Sequence, residues 1–340
     1  CRCTGYRPIV DAAMSLSTDQ PLIDQFAELE RNTIKKLEGI QDTEANLRLG
    51  HLTAFSPKST DELAKLFQAH PNAKLVAGGT DLALEVTQFH REIETLISVN
   101  LVEDMKVCEE TDTDLIIGAN LPISDSYALL KKHYPDFGEL LHRFASLQVR
   151  NQGTIGGNVA NASPIGDTPP LLIALNAKIK LRCGDESRTM PIEDYFISYK
   201  VTAQKESEFI EQIIIPKPTN DSFRAYKLSK RLDDDISAVC GAFDIQIEDG
   251  KVSYARIAFG GMAATPKRAA RCENTLLGKP WTDANIKLAM QELYNDFEPL
   301  SDFRASQEYR SLSAANMLRR YFIEQQNKNN QIETRVTSYV

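Results

Sequence analysis

The stretch GTIGGNVANASPIGD, residues 153–167, carries the reading of this chain. It contains adjacent glycines at Gly156 and Gly157, small hydroxyl or amide donors at Thr154, Asn158 and Ser163, and an acidic end at Asp167. A turn needs one or two such residues. Fifteen in succession, lodged between segments that read as regular elements, describe a surface moulded to a polar ligand; the plain alternative is a long unliganded loop. A second glycine pair, Gly78-Gly79, sits in LVAGGTDL, residues 75–82, where a short apolar strand breaks off. Without Cβ atoms the backbone N–H groups there can converge on an anion, and Thr80 adds a hydroxyl. Alone, such a pair is a turn. Two pairs in one α/β region can grip the two phosphates of a dinucleotide from opposite sides. Neither stretch is GxGxxG, so a Rossmann fold is not indicated.

The remainder of the sequence narrows the class. At 340 residues, with 42% hydrophobic and 25% charged residues, the chain predicts two or three globular domains. A net charge of −8 argues against nucleic acid or an anionic membrane as the main partner. No apolar run approaches the length that spans a bilayer. The six cysteines are too sparse for a secreted disulfide framework, which predicts a cytoplasmic protein. Cys108, Cys183, Cys240 and Cys272 are isolated and read as small buried hydrophobes. The five histidines do not cluster with cysteine, so a zinc site is not expected. HExxH, GxSxG and the P-loop pattern are all missing.

Periodicity sets the organisation. Residues 1–16 read as a turn and a short helix, and residues 17–48 as a polar linker carrying a helical piece. Ser59-x-x-Glu62 is a capping box opening a helix that stops at Pro71. Strands are expected at 96–99, 115–117, 178–182 and 209–215, with helices over 125–133 and 136–144. The IPKP at 215–218 forces extended chain and marks a domain boundary, so that 49–218 and 219–326 form two domains and 327–340 a tail. Asp249-Gly250 is a hairpin turn, and the last helix covers 306–325.

LVAGGTDL together with TIGGNVANASPIGD resembles the FAD-binding domain of the molybdenum hydroxylase flavoproteins. YKLSKRLDDDISAVCGAF (226–243) and RIAFGGMAATPKRA (256–269) resemble that family's C-terminal flavoprotein domain, and the opening CRCTGYRPI resembles the end of its helical 2Fe–2S domain. The details are most similar to the bacterial xanthine dehydrogenase type, where cluster and FAD domains share one chain. The resemblance implies an α+β fold: a two-part FAD-binding domain of the vanillyl-alcohol-oxidase/PCMH type, then a smaller α+β domain, after a remnant of the helical domain.

It also implies roles. Lys74, Leu75, Val76, Ala77, Gly78, Gly79, Thr80 and Asp81 would wrap the FAD pyrophosphate and ribitol. Phe144 and Ala145 would lie along the adenine and diphosphate side. Thr154, Gly157, Asn158 and Ser163 would continue the cradle, and Asp167 would bind a polar group of the cofactor. Ile210 would pack on the isoalloxazine ring, and Lys227 would approach its pyrimidine edge. Asp233, Asp234 and Asp235 form a turn and helix cap on a plain reading, and by resemblance lie on the side where NAD approaches. Cys1 and Cys3 would be two of the four thiolates of a 2Fe–2S cluster, incomplete in this chain, whose start without methionine reads as a cut inside a domain. The arginines of FRASQEYR (303–310) read as surface or intersubunit pairs, and no catalytic acid, base or nucleophile is expected. The implied activity is electron transfer from 2Fe–2S clusters through FAD to NAD, in a hetero-oligomer whose molybdenum-cofactor large subunit oxidises hypoxanthine or xanthine. Alternatives are the equivalent subunit of an aldehyde-, N-heterocycle-, acyl-CoA- or CO-oxidising relative, and a flavin-free scaffold.

Overall fold

In the computed structural model, residues 6–16, 26–40, 46–326 and 334 are described. The chain divides after Ala45. The first unit contains α1 (Tyr6–Leu16) and α2 (Ala27–Glu38). In α2, Glu28 and Glu30 lie in the first turn and Lys35 and Lys36 in the last, a charge order that suits the helix dipole. Cys1 and Cys3 fall outside the described residues.

The second unit begins with β1 (Leu47–Leu49), β2 (Leu52–Phe55), α3 (Thr60–Ala69), β3 (Lys74–Val76), α4 (Ala83–Thr87) and β4 (Thr95–Ser98). Its first sheet has the order β1-β2-β4-β3, with β2, β4 and β3 parallel. This is the βαβ alternation read from the sequence. Leu47 and Arg48, assigned there to the linker, pair instead with Ala54 and Thr53 on β2. Ser59 caps α3 by accepting from the Glu62 N–H, whereas the Glu62 carboxylate accepts from Lys58 N–H rather than from Ser59.

Next come β5 (Cys108–Glu110), β6 (Asp114–Gly118), α5 (Ile123–His133), α6 (Pro135–His142), α7 (Leu147–Arg150), α8 (Ile155–Ala160), α9 (Thr168–Ala174), β7 (Lys178–Cys183), β8 (Glu186–Pro191), β9 (Phe196–Ser198), β10 (Val201–Thr202) and β11 (Phe209–Pro216). Strands β5-β6-β11-β7-β8 form an antiparallel sheet, and β9-β10 a separate hairpin. Leu115, Ile117, Ile179, Leu181, Ile213 and Ile215 alternate with half-buried or exposed neighbours and supply one face of the main core. The stretch 153–167 is not one loop: six of its residues form α8. Glycine and asparagine are poor helix formers. Fully buried Ile155 and Val159 and the Thr154 cap supply what propensity does not.

Pro216-Lys217-Pro218 leads into β12 (Phe223–Leu228), β13 (Val239–Glu248), β14 (Lys251–Gly260), β15 (Lys267–Arg268) and three helices, α10 (Ala270–Leu276), α11 (Asp283–Asp296) and α12 (Gln307–Gln326). The sheet is antiparallel in chain order. Along β13, Cys240 and Ala242 join the main core, whereas Val239, Phe243 and Ile245 face a second core built with α10, α11 and α12. Both faces of this sheet are therefore covered, and one of them ties it to the preceding region. Of the four isolated cysteines, Cys240 and Cys272 are buried as expected; Cys108 is exposed and Cys183 half-buried. No helix among the described residues is long and apolar enough to cross a membrane.

Candidate functional site

A groove of about 700 Å³ runs between the end of β3 and the α8 region. One wall is the chain from Lys74 to Leu82. Gly78 sits so close to the neighbouring loop that a Cβ would lie 1.9 Å from the Gln152 carbonyl oxygen, which brings the two glycine-bearing segments into direct contact. Gly79 has φ +66°, a conformation that L side chains rarely adopt, and a Cβ there would meet only Val76 Cγ2, at 3.6 Å. The Gly79 carbonyl accepts from Ala83 N–H at 3.0 Å, so the glycine turn runs straight into α4.

The opposite wall comprises Gly153, Thr154, Gly157 and Asn158, with Phe144 and Ala145 beside them. Thr154 Oγ1 accepts from Gly157 N–H at 2.9 Å. Its own O–H stays free to donate into the groove. Asn158 Oδ1 accepts from Thr168 Oγ1 at 2.7 Å, which leaves the Asn158 NH2 as the group offered to a ligand. Ala145 is left-handed, at φ +45°. Arg150 accounts for that turn by donating to the carbonyls of Phe144 at 2.8 Å and Ala145 at 2.5 Å. Arg150 was not read from the sequence, nor were Lys200 and Ile236, which line the groove from the β9-β10 turn and from the 229–237 loop.

The residues singled out by sequence thus fall into two groups. Lys74 to Asp81, Phe144, Ala145, Thr154, Gly157 and Asn158 share the groove. Ser163, Asp167, Ile210 and Lys227 do not line it. Ile210 is core, and Ser163 Oγ accepts from Ile165 N–H. Asp167 is buried, its Oδ2 2.5 Å from Lys227 Nζ; Lys227 also donates to Ser237 Oγ at 2.8 Å, and Ser237 donates back to Asp167 Oδ1 at 2.6 Å. This closed trio joins the α8–α9 region to the last sheet. Next to it, burial and the Asp167 carboxylate push the Cys240 thiol well above its ordinary pKa.

The three aspartates have separate fates. Asp233 is 4.0 Å from Arg143 Nε, whose N–H donates to Leu232 O. Asp234 is left-handed, at φ +54°. Asp235 closes the turn, accepting from the backbone N–H groups of Arg231 and Ile236 at 2.9 Å, and those bonds, Arg231 foremost, hold its carboxyl below the usual range. FRASQEYR departs from its surface reading. Arg310 is buried, donates to the carbonyls of Ala238 and Gly261, and pairs with Asp302 at 2.6 Å, and Arg304 pairs with the same aspartate. Among the described residues no cluster of His, Cys, Asp or Glu could hold a metal ion.

The donor set fits a dinucleotide. The Gly78-Gly79 turn, the start of α8, a threonine hydroxyl and an asparagine NH2 line one groove, and a Cβ at position 79 or 157 would narrow it.

Comparison with known proteins agrees with that chemistry. The sequence pattern of the FAD binding domain in molybdopterin dehydrogenase matches residues 50–218, and that of the CO dehydrogenase flavoprotein C-terminal domain matches residues 224–325. The carbon monoxide dehydrogenase medium chain of Hydrogenophaga pseudoflava is 31% identical over 268 residues, 78% of this chain and 93% of that one. Xanthine dehydrogenase 1 of Arabidopsis thaliana is 28% identical over 87% of this chain, which spans only 27% of that protein's length. A solved structure of the Hydrogenophaga pseudoflava carbon monoxide dehydrogenase lacking the Mo-pyranopterin moiety matches with a TM-score of 0.75 at 29% identity, covering 81% of this chain and 96% of that one.

Proposed function

Since this chain belongs to the FAD-binding subunits of the molybdopterin dehydrogenase family, with their two-part FAD-binding fold and smaller C-terminal domain, we propose that it is the electron-transfer part of a xanthine dehydrogenase. In this reading a partner large subunit holds the molybdenum cofactor and oxidises hypoxanthine or xanthine. Bound 2Fe–2S clusters and FAD would supply the electron path from that subunit to NAD. FAD supplies the coupling, because a flavin accepts electrons singly and releases them in pairs.

The chain's own residues bind and orient. The amides of the Val76–Thr80 turn and the Thr154 hydroxyl donate to the pyrophosphate, and Asn158 contributes its NH2. The Ala145 turn, held by Arg150, shapes the adenine side. Asp167, Lys227 and Ser237 keep a cation and an anion dry at the boundary with the last sheet and fix that boundary rather than touch the ligand. Asp233 to Asp235 form the rim facing NAD. Cys1 and Cys3 serve as two thiolate ligands of a 2Fe–2S cluster.

The observation that carries the reading is the meeting of the Gly78-Gly79 turn and the start of α8 in one groove, with Gly78 against the Gln152 carbonyl. Coverage of 93% of a carbon monoxide dehydrogenase medium chain favours a second reading, in which the partner subunit oxidises carbon monoxide. Expression of the intact complex, large subunit and 2Fe–2S clusters included, tests both. FAD at one per chain, with NAD-dependent xanthine oxidation, is the expected result. Turnover of carbon monoxide alone would select the second reading, and a protein that takes up no FAD would overturn both.

A further inference from the structure

Five charged side chains line the groove among the described residues: Lys74, Asp81, Glu85, Arg91 and Lys200. The groove thus holds three cations and two anions in a chain whose net charge is −8. Two of them are already joined, Arg91 to Glu85 at 2.7 Å. That pair is built by a fold-back of the backbone after α4. His90 turns left-handed at φ +53°, and Arg91 N–H donates to the Glu85 carbonyl at 2.8 Å. The guanidinium lies over the Phe89 ring, 5.4 Å from its centroid. Arg91 is therefore held from three sides.

Stability gives little reason for this arrangement. The Arg91 side chain is 66% exposed, and an ion pair so open to water contributes next to nothing to folding. Position supplies a better one. The Gly79 carbonyl accepts from Ala83 N–H where α4 begins, and Glu85 follows two residues later in the same short helix. Side chains on a helix lean back toward its N-terminus, which here is the glycine turn. The Glu85 carboxylate and the guanidinium held on it line the same groove as Gly79 and Thr80.

We propose that Arg91 is an anion-recognising residue of this groove, kept ready by Glu85 and handed to the pyrophosphate of the bound dinucleotide. A guanidinium offers two parallel N–H donors that match phosphate oxygens, and exchanging one carboxylate for two phosphates costs it no charge pairing. Glu85 is then a competitor as well as a holder. It lowers affinity for anions while keeping Arg91 from swinging into solvent. The inference rests on the FAD reading above and adds to it the residue that senses the diphosphate.

The test uses the whole chain titrated with FAD, with ADP, and with riboflavin, which has no phosphate. Arg91→Gln should weaken FAD and ADP by about tenfold, the worth of one charge-assisted contact at a part-exposed site, and leave riboflavin unchanged. Glu85→Gln should tighten FAD and ADP a few-fold. The opposite sign keeps the test independent of any loss of folding in the first variant. Added salt should narrow the gap between wild type and Arg91→Gln. Unchanged FAD and ADP affinity in Arg91→Gln, or an equal loss for riboflavin, would overturn the role of Arg91 while leaving FAD binding intact. Wild type that binds neither FAD nor ADP would remove the FAD reading and this inference with it.

Discussion

The two glycine pairs are alike in sequence and divided in labour in the same way. In each, the first glycine is pressed against backbone. A Cβ at Gly78 would meet the Gln152 carbonyl oxygen at 1.9 Å, and one at Gly156 would meet that of Ala119 at 2.4 Å. In each, the second glycine lines the groove clear of other backbone, though unequally: a Cβ would meet Val76 Cγ2 at an ordinary 3.6 Å at Gly79, and Thr154 Oγ1 at a tight 3.0 Å at Gly157. The pairs differ in their backbone setting. Gly79 is a left-handed turn feeding α4, whereas Gly157 lies inside α8, one turn past its cap. A Gly-Gly here is thus one packing residue and one ligand-facing residue, so the consequence of a substitution depends on which is changed.

The largest effect is expected at the packing members. Gly78→Ala or Gly156→Ala places a methyl inside a neighbouring main chain that no rotamer change can move, and should cost about 3 kcal/mol of stability. Denaturant titration checks this. A Gly78→Ala variant as stable as the wild type would mean that the two segments do not touch, and the groove as described would not exist.

The ligand-facing members should behave in reverse. Gly79→Ala bears about 1–2 kcal/mol of left-handed strain. At Gly157 the helix-forming advantage of alanine, about 1 kcal/mol, offsets crowding of the Thr154 cap of about the same size, so stability should hardly move. Both substitutions put a methyl in the cradle, and both should weaken FAD on the order of tenfold. Fluorescence titration of FAD beside a melting curve separates the two outcomes. If Gly157→Ala bound FAD as well as the wild type, only the β3 side of the groove would hold the phosphates.

The local half of this division was legible in the sequence. Consecutive glycines after an apolar strand, a threonine before Ile155, and a serine three residues ahead of Glu62 are signals within one turn of chain, and the groove lining contains most of the residues they named. Long-range partners were not legible. The Lys227–Asp167 bond spans 60 residues and depends on how the last sheet meets the start of α9, so its burial could not be read from either stretch. The helix α8 was hidden because its stability comes from Ile155 and Val159 packing below the loop rather than from propensity. Arg310 read as a surface charge because nothing near it in sequence announces the Ala238 and Gly261 carbonyls.

A third turn on the groove breaks the pattern, and the smallest prediction lies there. Ala145 takes a left-handed conformation without being glycine, and Arg150 ties its carbonyl and that of Phe144. If Arg150 is what holds the strained alanine, the two residues are energetically coupled. Arg150→Met removes the two bonds and lets the turn relax out of the groove; Ala145→Gly removes the reason to relax. Ala145→Gly alone should change stability very little, because relief of the strained turn is matched by the greater freedom of glycine in the unfolded chain. In the double variant the loss caused by Arg150→Met should shrink by about 0.5–1 kcal/mol, and part of the lost FAD affinity should return. Strictly additive effects in stability and in FAD binding would show that Arg150 only fills space, and that Ala145 keeps its conformation through the packing of α7 alone.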